Sequence, residues 1–89
     1  MAWLYILECS DGTYYVGSTT DIDRRVRQHN LGVGAKYTAG RRPVRLVYKK
    51  EFPTLAEAYQ RERQVHNWKR PKRQALIQGD LESLPDWTR

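Results

Sequence analysis

WLYILECSDGTYYVGSTTDIDRRVRQHN, Trp3 to Asn30, is the stretch whose reading decides the fold. Trp3 to Leu7 is an apolar, aromatic run of strand length, Tyr14 to Val16 is a second, and Ser10, Asp11 and Gly12 between them are turn residues, so the segment opens with a β-hairpin. The length of the turn decides which side chains share a face, because a one-residue slip moves every side chain of a strand to the other side. A two-residue Asp-Gly loop would pair Ser10 with Thr13 and Tyr5 with Ser18, leaving Tyr5 and Tyr15 on opposite faces. A three-residue loop, Ser10 to Gly12, pairs Cys9 with Thr13, Leu7 with Tyr15 and Tyr5 with Gly17, and makes Tyr5 and Tyr15 diagonal neighbours on one face. Gly12 then occupies the third loop position, which needs a left-handed residue, and the second register is expected.

A helix follows at once. Thr20 is its expected cap, with Asp23 completing a capping-box pattern, and Gly32 is placed to stop it. Ile22, Val26 and His29 fall on one stripe with Arg25 inside it, while Arg24, Arg27 and Gln28 point elsewhere. Arg24 and Arg27 read as a solvated basic face. Arg25 and His29 border the face that packs on the sheet, near the tyrosines.

Outward from this stretch, the 89 residues provide for one domain with a single body, 1–89. A chain this short buries only about 60 to 65% of its unfolded surface, so its stability margin is thin. At 39% apolar and 11% aromatic residues the composition is globular, not that of a disordered chain. The one cysteine, Cys9, has no internal partner and reads as a small buried hydrophobe, which suits a reducing compartment. With no run long enough to span a membrane and no basic leader before Leu7, a cytoplasmic location without a membrane partner is expected.

Lys and Arg outnumber Asp and Glu by 16 to 10, a formal charge of +6, which suggests a polyanionic partner. The charges are unevenly spread. Arg61, Arg63, Lys69, Arg70, Lys72 and Arg73 are opposed locally only by Glu62, and Lys36, Arg41 and Arg42 form a second cluster. Asp80, Glu82 and Asp86 collect near the carboxyl end. Lys36, Arg41, Arg42, Arg63, Lys69, Arg70, Lys72 and Arg73 are therefore the candidate nucleic-acid contacts.

Gly32 to Pro43, GVGAKYTAGRRP, reads as a loop whose glycines either admit a ligand closely or merely connect. In VRLVYKKE, Val44, Leu46 and Tyr48 alternate with Arg45 and Lys49 as a third strand. Pro53 and Thr54 open the next helix, with Glu57 at the capping-box position. Leu55, Ala58, Tyr59, Val65 and His66 share one face of it, and Glu62 falls near the middle of that face. A carboxylate there is costly unless something pairs with it. It is either half of a buried ion pair with Arg25 or a ligand for a hard divalent cation. His66 reads as a core or rim residue, and no His-rich or Cys-rich spacing suggests zinc. Pro71 to Gln78 forms a final helix stopped by Gly79, after which Leu81, Leu84 and Trp87, with Leu76, would pin the tail to the body.

Tyr5, then YVG at Tyr15 to Gly17, then DRRVRQHN at Asp23 to Asn30, together resemble the GIY-YIG nuclease domain, with the KYT step at Lys36 to Thr38 typical of its small single-domain members. That resemblance implies an α+β fold, a three-stranded antiparallel sheet flanked by helices in the order β-β-α-β-α-α. It implies Tyr5, Tyr15, Arg25, His29 and Glu62 as catalytic residues and Glu62, in its RER setting, as the ligand of one Mg²⁺ or Mn²⁺. The expected activity is a metal-dependent endonuclease on DNA, more readily than RNA, structure-selective or nonspecific, in DNA repair or processing. An inactive nucleic-acid-binding module is the alternative. A phenol with an ordinary pKa near 10 is a poor base at neutral pH, so a tyrosine that deprotonates water needs positive charge beside it, from Arg25, Lys36 or the metal. The family pattern favours the first tyrosine.

Overall fold

The computed structural model describes residues 1–79 of the chain. Leu81, Leu84 and Trp87, expected to pin the tail, and the acidic Asp80, Glu82 and Asp86 lie outside the described residues. Strands β1 (Ala2–Glu8) and β2 (Tyr14–Thr19) form the hairpin, followed by α1 (Ile22–Asn30), a single helical turn α2 (Lys36–Ala39), strand β3 (Arg45–Phe52), α3 (Leu55–His66) and α4 (Arg70–Ile77). The strands make one antiparallel sheet in the order β2-β1-β3, flanked by helices.

The hairpin has the three-residue loop. Cys9 N–H donates to Thr13 C=O at 2.8 Å, and Tyr5 pairs with Gly17 and Leu7 with Tyr15. Gly12 takes φ +84°, a left-handed conformation that a side chain would resist, and Asp11 Oδ1 accepts from both Thr13 N–H and Thr13 Oγ1. β1 lies between two partners and is covered on both faces, which is why its apolar run is unbroken. Leu4 and Ile6 pack with Val16, Val65 and Leu76 on the side of α3 and α4. Tyr5, Leu7 and Cys9 pack with Ile22 and Val44 on the side of α1. Cys9 is buried and unpaired, as expected.

Four expectations are corrected. The cap of α1 is Asp21, not Thr20: its carboxylate accepts Arg24 N–H at 3.1 Å, one residue later than the capping box suggested. The Gly32 to Pro43 loop contains the helical turn α2, nucleated around Thr38, whose side chain is fully buried. β3 does not alternate regularly, because a bulge between the partners of Ile6 and Leu7 leaves Val47 as an extra residue. Val44 consequently joins the α1 side while Val47 and Tyr48 join the other. On α3 only Ala58 and Val65 are buried; Leu55, Tyr59 and His66 are exposed, because a sheet this narrow covers only part of the helix face. Thr54 does cap α3, accepting Glu57 N–H at 3.2 Å.

Candidate active site

Tyr5 stands at the middle of the central strand with only 1% of its surface exposed. Opposite it is Gly17, and the absence of a side chain there is a spatial requirement: a Cβ would stand 2.5 Å from the Tyr5 hydroxyl oxygen. The ring passes over the edge strand at that point, and its hydroxyl meets α1. His29 Nε2 lies 2.9 Å from the hydroxyl, and Arg25 Nε–H donates to the same oxygen at 3.4 Å. The i, i+4 spacing on α1 brings both side chains to one phenol.

The hydrogen-bond chain fixes the histidine's tautomer. Thr38 Oγ1 donates to Ala35 C=O at 3.1 Å, so it accepts from His29 Nδ1–H at 2.8 Å, and Nε2 is left as the acceptor of the Tyr5 proton. Gly34 lets the loop close on the imidazole, since a Cβ there would come within 2.7 Å of its ring. The loop glycine therefore serves the protein's own histidine. Burial, and then the Arg25 charge, push the His29 pKa down to about 4, so the ring is neutral. Burial pushes Tyr5 up to about 12 against the opposing Arg25 hydrogen bond. Tyr15 is raised for the same first reason, burial. The protein's own charges thus do not turn either tyrosine into a base; Arg25 alone is outweighed by desolvation.

Tyr15 completes the cluster, its ring centroid 6.4 Å from that of Tyr5 and 4.9 Å from that of His29. Glu62 approaches from α3. Ser18 Oγ donates to its Oε1 at 2.7 Å, and its charge is felt by both Tyr5 and Tyr15. It forms no ion pair with Arg25 among the described residues, so the buried-pair reading of Glu62 does not hold. Tyr5, Tyr15, Arg25 and His29 therefore gather at the Tyr5 hydroxyl, with Glu62 held by Ser18 on the neighbouring stretch of β2. The family model for the GIY-YIG catalytic domain matches residues 1–75. The chain belongs to the GIY-YIG family.

Relatives of this GIY-YIG chain include a UPF0213 protein of Halobacterium salinarum, 50% identical over 86% of this chain and 100% of the relative. A UPF0213 protein of Haloquadratum walsbyi is also 50% identical, over 85% of each chain. Among solved structures, the solution NMR structure of the UPF0213 protein BH0048 from Bacillus halodurans shares 45% identity at a TM-score of 0.57, covering 99% of this chain and 93% of that one. The protein EF2693 from E. faecalis gives 38% and 0.59 over 86% and 82%. The GIY-YIG domain is a nuclease domain, and its enzymes typically use a divalent metal.

The GIY-YIG residues present here fit such an ion. Glu62 is half-buried, Oε1 is oriented by Ser18, and Oε2 makes no hydrogen bond among the described residues. Among these no cluster of three or more His, Cys, Asp or Glu exists, which disfavours a zinc-type cage. One carboxylate is instead the provision that suits Mg²⁺, which keeps several waters and takes the rest of its shell from substrate phosphate. Of the basic candidates, several are already engaged. Arg41 pairs with Asp11 at 3.0 Å, and Arg42 Nε–H donates to Ala39 C=O at 2.8 Å. Arg70 donates to Gly12 C=O at 2.6 Å, and Arg73 donates to Val65 C=O at 3.2 Å and His66 C=O at 2.6 Å, capping α3. Lys72 lies over the Trp68 ring at 4.6 Å. Lys36, Arg63 and Lys69 are exposed. Sequence reasoning missed Thr38, Ser18 and the reasons for Gly17 and Gly34; the KYT and YVG steps carried the only signal.

Proposed function

We propose that this protein is a metal-dependent endonuclease that hydrolyses phosphodiester bonds in DNA, in repair or processing, with Tyr5, Tyr15, Arg25, His29 and Glu62 as its catalytic residues. One arrangement carries the reading: Arg25 donates to the Tyr5 hydroxyl while Glu62, oriented by Ser18, forms no ion pair with it among the described residues. A cation on α1 and an acid on α3, joined to the cleft beside Arg25 through Ser18, leave room for an anionic phosphate at the one and a divalent cation at the other. The cleft beside Arg25 is about 300 Å³ and is lined further by Ser18, Thr20, Arg24 and Gln28.

In this mechanism Arg25 presents a permanently charged planar fork to the phosphoryl oxygens, steadied by the hydrogen bond from its NH1 to Gln28 Oε1 at 3.3 Å. Glu62 would hold a Mg²⁺ or Mn²⁺, whose chemistry there would be charge neutralisation at the phosphate and the leaving alkoxide. Tyr5 takes a proton from the attacking water as its own proton passes to His29 Nε2. Such a concerted relay avoids a free phenolate, which the pKa of about 12 forbids at neutral pH. The resulting imidazolium keeps both hydrogen bonds, one to Tyr5 and one to Thr38. Tyr15, alongside, orients the water or the phosphate.

Glu62→Gln tests the reading. Glutamine keeps an oxygen for Ser18 and lacks the charge a metal needs. Labelled single-stranded, duplex and branched DNA should be cut by the wild type only with Mg²⁺ or Mn²⁺ present. The variant should cut none of them, bind DNA nearly as before, and melt at or above the wild-type temperature. A variant that still cuts at the wild-type rate would remove Glu62 and its metal from the chemistry. Loss of about 3 to 5 kcal/mol of stability would mark the carboxylate as a structural charge instead.

A further inference from the structure

Beside Tyr15 lies a second cleft, about 230 Å³, lined by Tyr14, Tyr15, Val16, Tyr37, His66 and Arg73. Tyr37 is the unexplained wall. It belongs to neither apolar cluster and is 38% exposed, yet it is braced. Arg41 lies over its ring, 4.0 Å from the centroid, and is itself fixed by Asp11 at 3.0 Å and by the Tyr37 carbonyl at 2.8 Å. On the other side of the cleft Arg73 is fixed by the carbonyls that end α3. Both walls are therefore ordered before any ligand arrives, which lowers the cost of binding one. Tyr15 joins this cleft to the catalytic cluster, its ring centroid 6.0 Å from that of Tyr37 and 6.4 Å from that of Tyr5.

We propose that this cleft is a nucleobase subsite, holding the unpaired base of a nucleotide adjoining the phosphate to be cut. The inference rests on the nuclease reading and adds its substrate class: a DNA strand that is single, or frayed open, at the point of cleavage. The size is below the roughly 300 Å³ at which drug-sized sites begin, so it admits one planar ring system and not a helix or a duplex. Aromatic walls suit the π face that every base offers, without selecting among sequences. A base stacked within a duplex reaches such a recess only by being extruded, at a cost of a few kcal/mol, whereas an unpaired base enters without that penalty.

The test uses the whole protein in chelator, where no cleavage is possible, with a single-stranded oligonucleotide carrying 2-aminopurine at successive positions and with the blunt duplex of the same sequence. The wild type should bind the single strand more tightly and quench 2-aminopurine emission at one or two positions. Tyr37→Leu, which keeps bulk but removes the ring, should weaken single-strand binding by about fivefold or more, abolish the quench and leave duplex affinity unchanged. Emission unchanged by the wild type at every position overturns the subsite, and so does a variant that weakens single strand and duplex equally. Because the quench is read without metal, it survives a failure of the nuclease reading. Conversely, a protein that cuts DNA but shows no quench loses only the subsite.

Discussion

Gly17 shows how a single missing side chain can shape a candidate site. The Tyr5 ring occupies the space a Gly17 Cβ would need, so Gly17→Ala must push the phenol away from His29 and Arg25. The expected result is a loss of about 1 to 3 kcal/mol in denaturant unfolding, from overpacking, together with a fall in cleavage larger than the stability loss explains. His29 offers a pH test. Its folded pKa, about 4, lies below the ordinary 6.5, so between those values the unfolded chain binds a proton that the native state refuses. The stabilisation is complete above pH 6.5 and is lost as the pH falls toward 4, to the extent of about 3 kcal/mol. His29→Gln should flatten that part of the wild-type melting-temperature profile, measured by thermal unfolding across the range. The same neutral imidazole predicts a cleavage rate with no acid limb near pH 6.5.

At the scale of elements, the hairpin and the start of α3 were legible because their signals are local. A turn with glycine at its left-handed position fixes the register of β1 on β2, and Thr54 with Glu57 marks a helix start whatever packs nearby. The start of α1 was read one residue early, since Thr20, Asp21 and Asp23 all offer capping oxygens. Asp21→Ala should cost about 0.5 to 2 kcal/mol in urea unfolding. Thr20→Ala should change stability by no more than about 0.5 kcal/mol. Helix α2 was missed because a single turn between glycines has little periodicity to detect. Its purpose becomes visible only through Thr38, whose buried hydroxyl orients the imidazole of another helix.

For the whole molecule, the net charge of +6 predicts salt-sensitive binding, but the fold redistributes which charges can act. Arg63 and Lys69 are exposed, while Arg73 is fixed on the last carbonyls of α3. Changing Arg63 and Lys69 together to Ala should therefore flatten a log-log plot of oligonucleotide affinity against salt, by about 0.7 to 0.9 for each phosphate contact removed, without altering the melting temperature. Arg73→Ala should behave differently and lower the melting temperature, because it removes two hydrogen bonds from the last carbonyls of α3. No helix among the described residues is long and apolar enough to cross a membrane.

The sequence alone determined the register of the hairpin, the sheet-and-helix architecture and the neighbourhood of Tyr5, Tyr15, Arg25 and His29. These depend on turn chemistry, on side-chain periods of two and 3.6, and on spacing within one segment, all of which act over a few residues. Only the tertiary structure decided what those residues do to one another. Whether Glu62 pairs with Arg25 or stands apart from it, whether Tyr5 is acidified or made more basic by its surroundings, and which arginines are already occupied all depend on burial and on distances between remote segments. Glu62 meets Ser18 across 44 positions of chain, and Tyr5 meets His29 across 24. Desolvation and hydrogen bonding at such contacts follow from where the chain returns to itself, which no local pattern encodes.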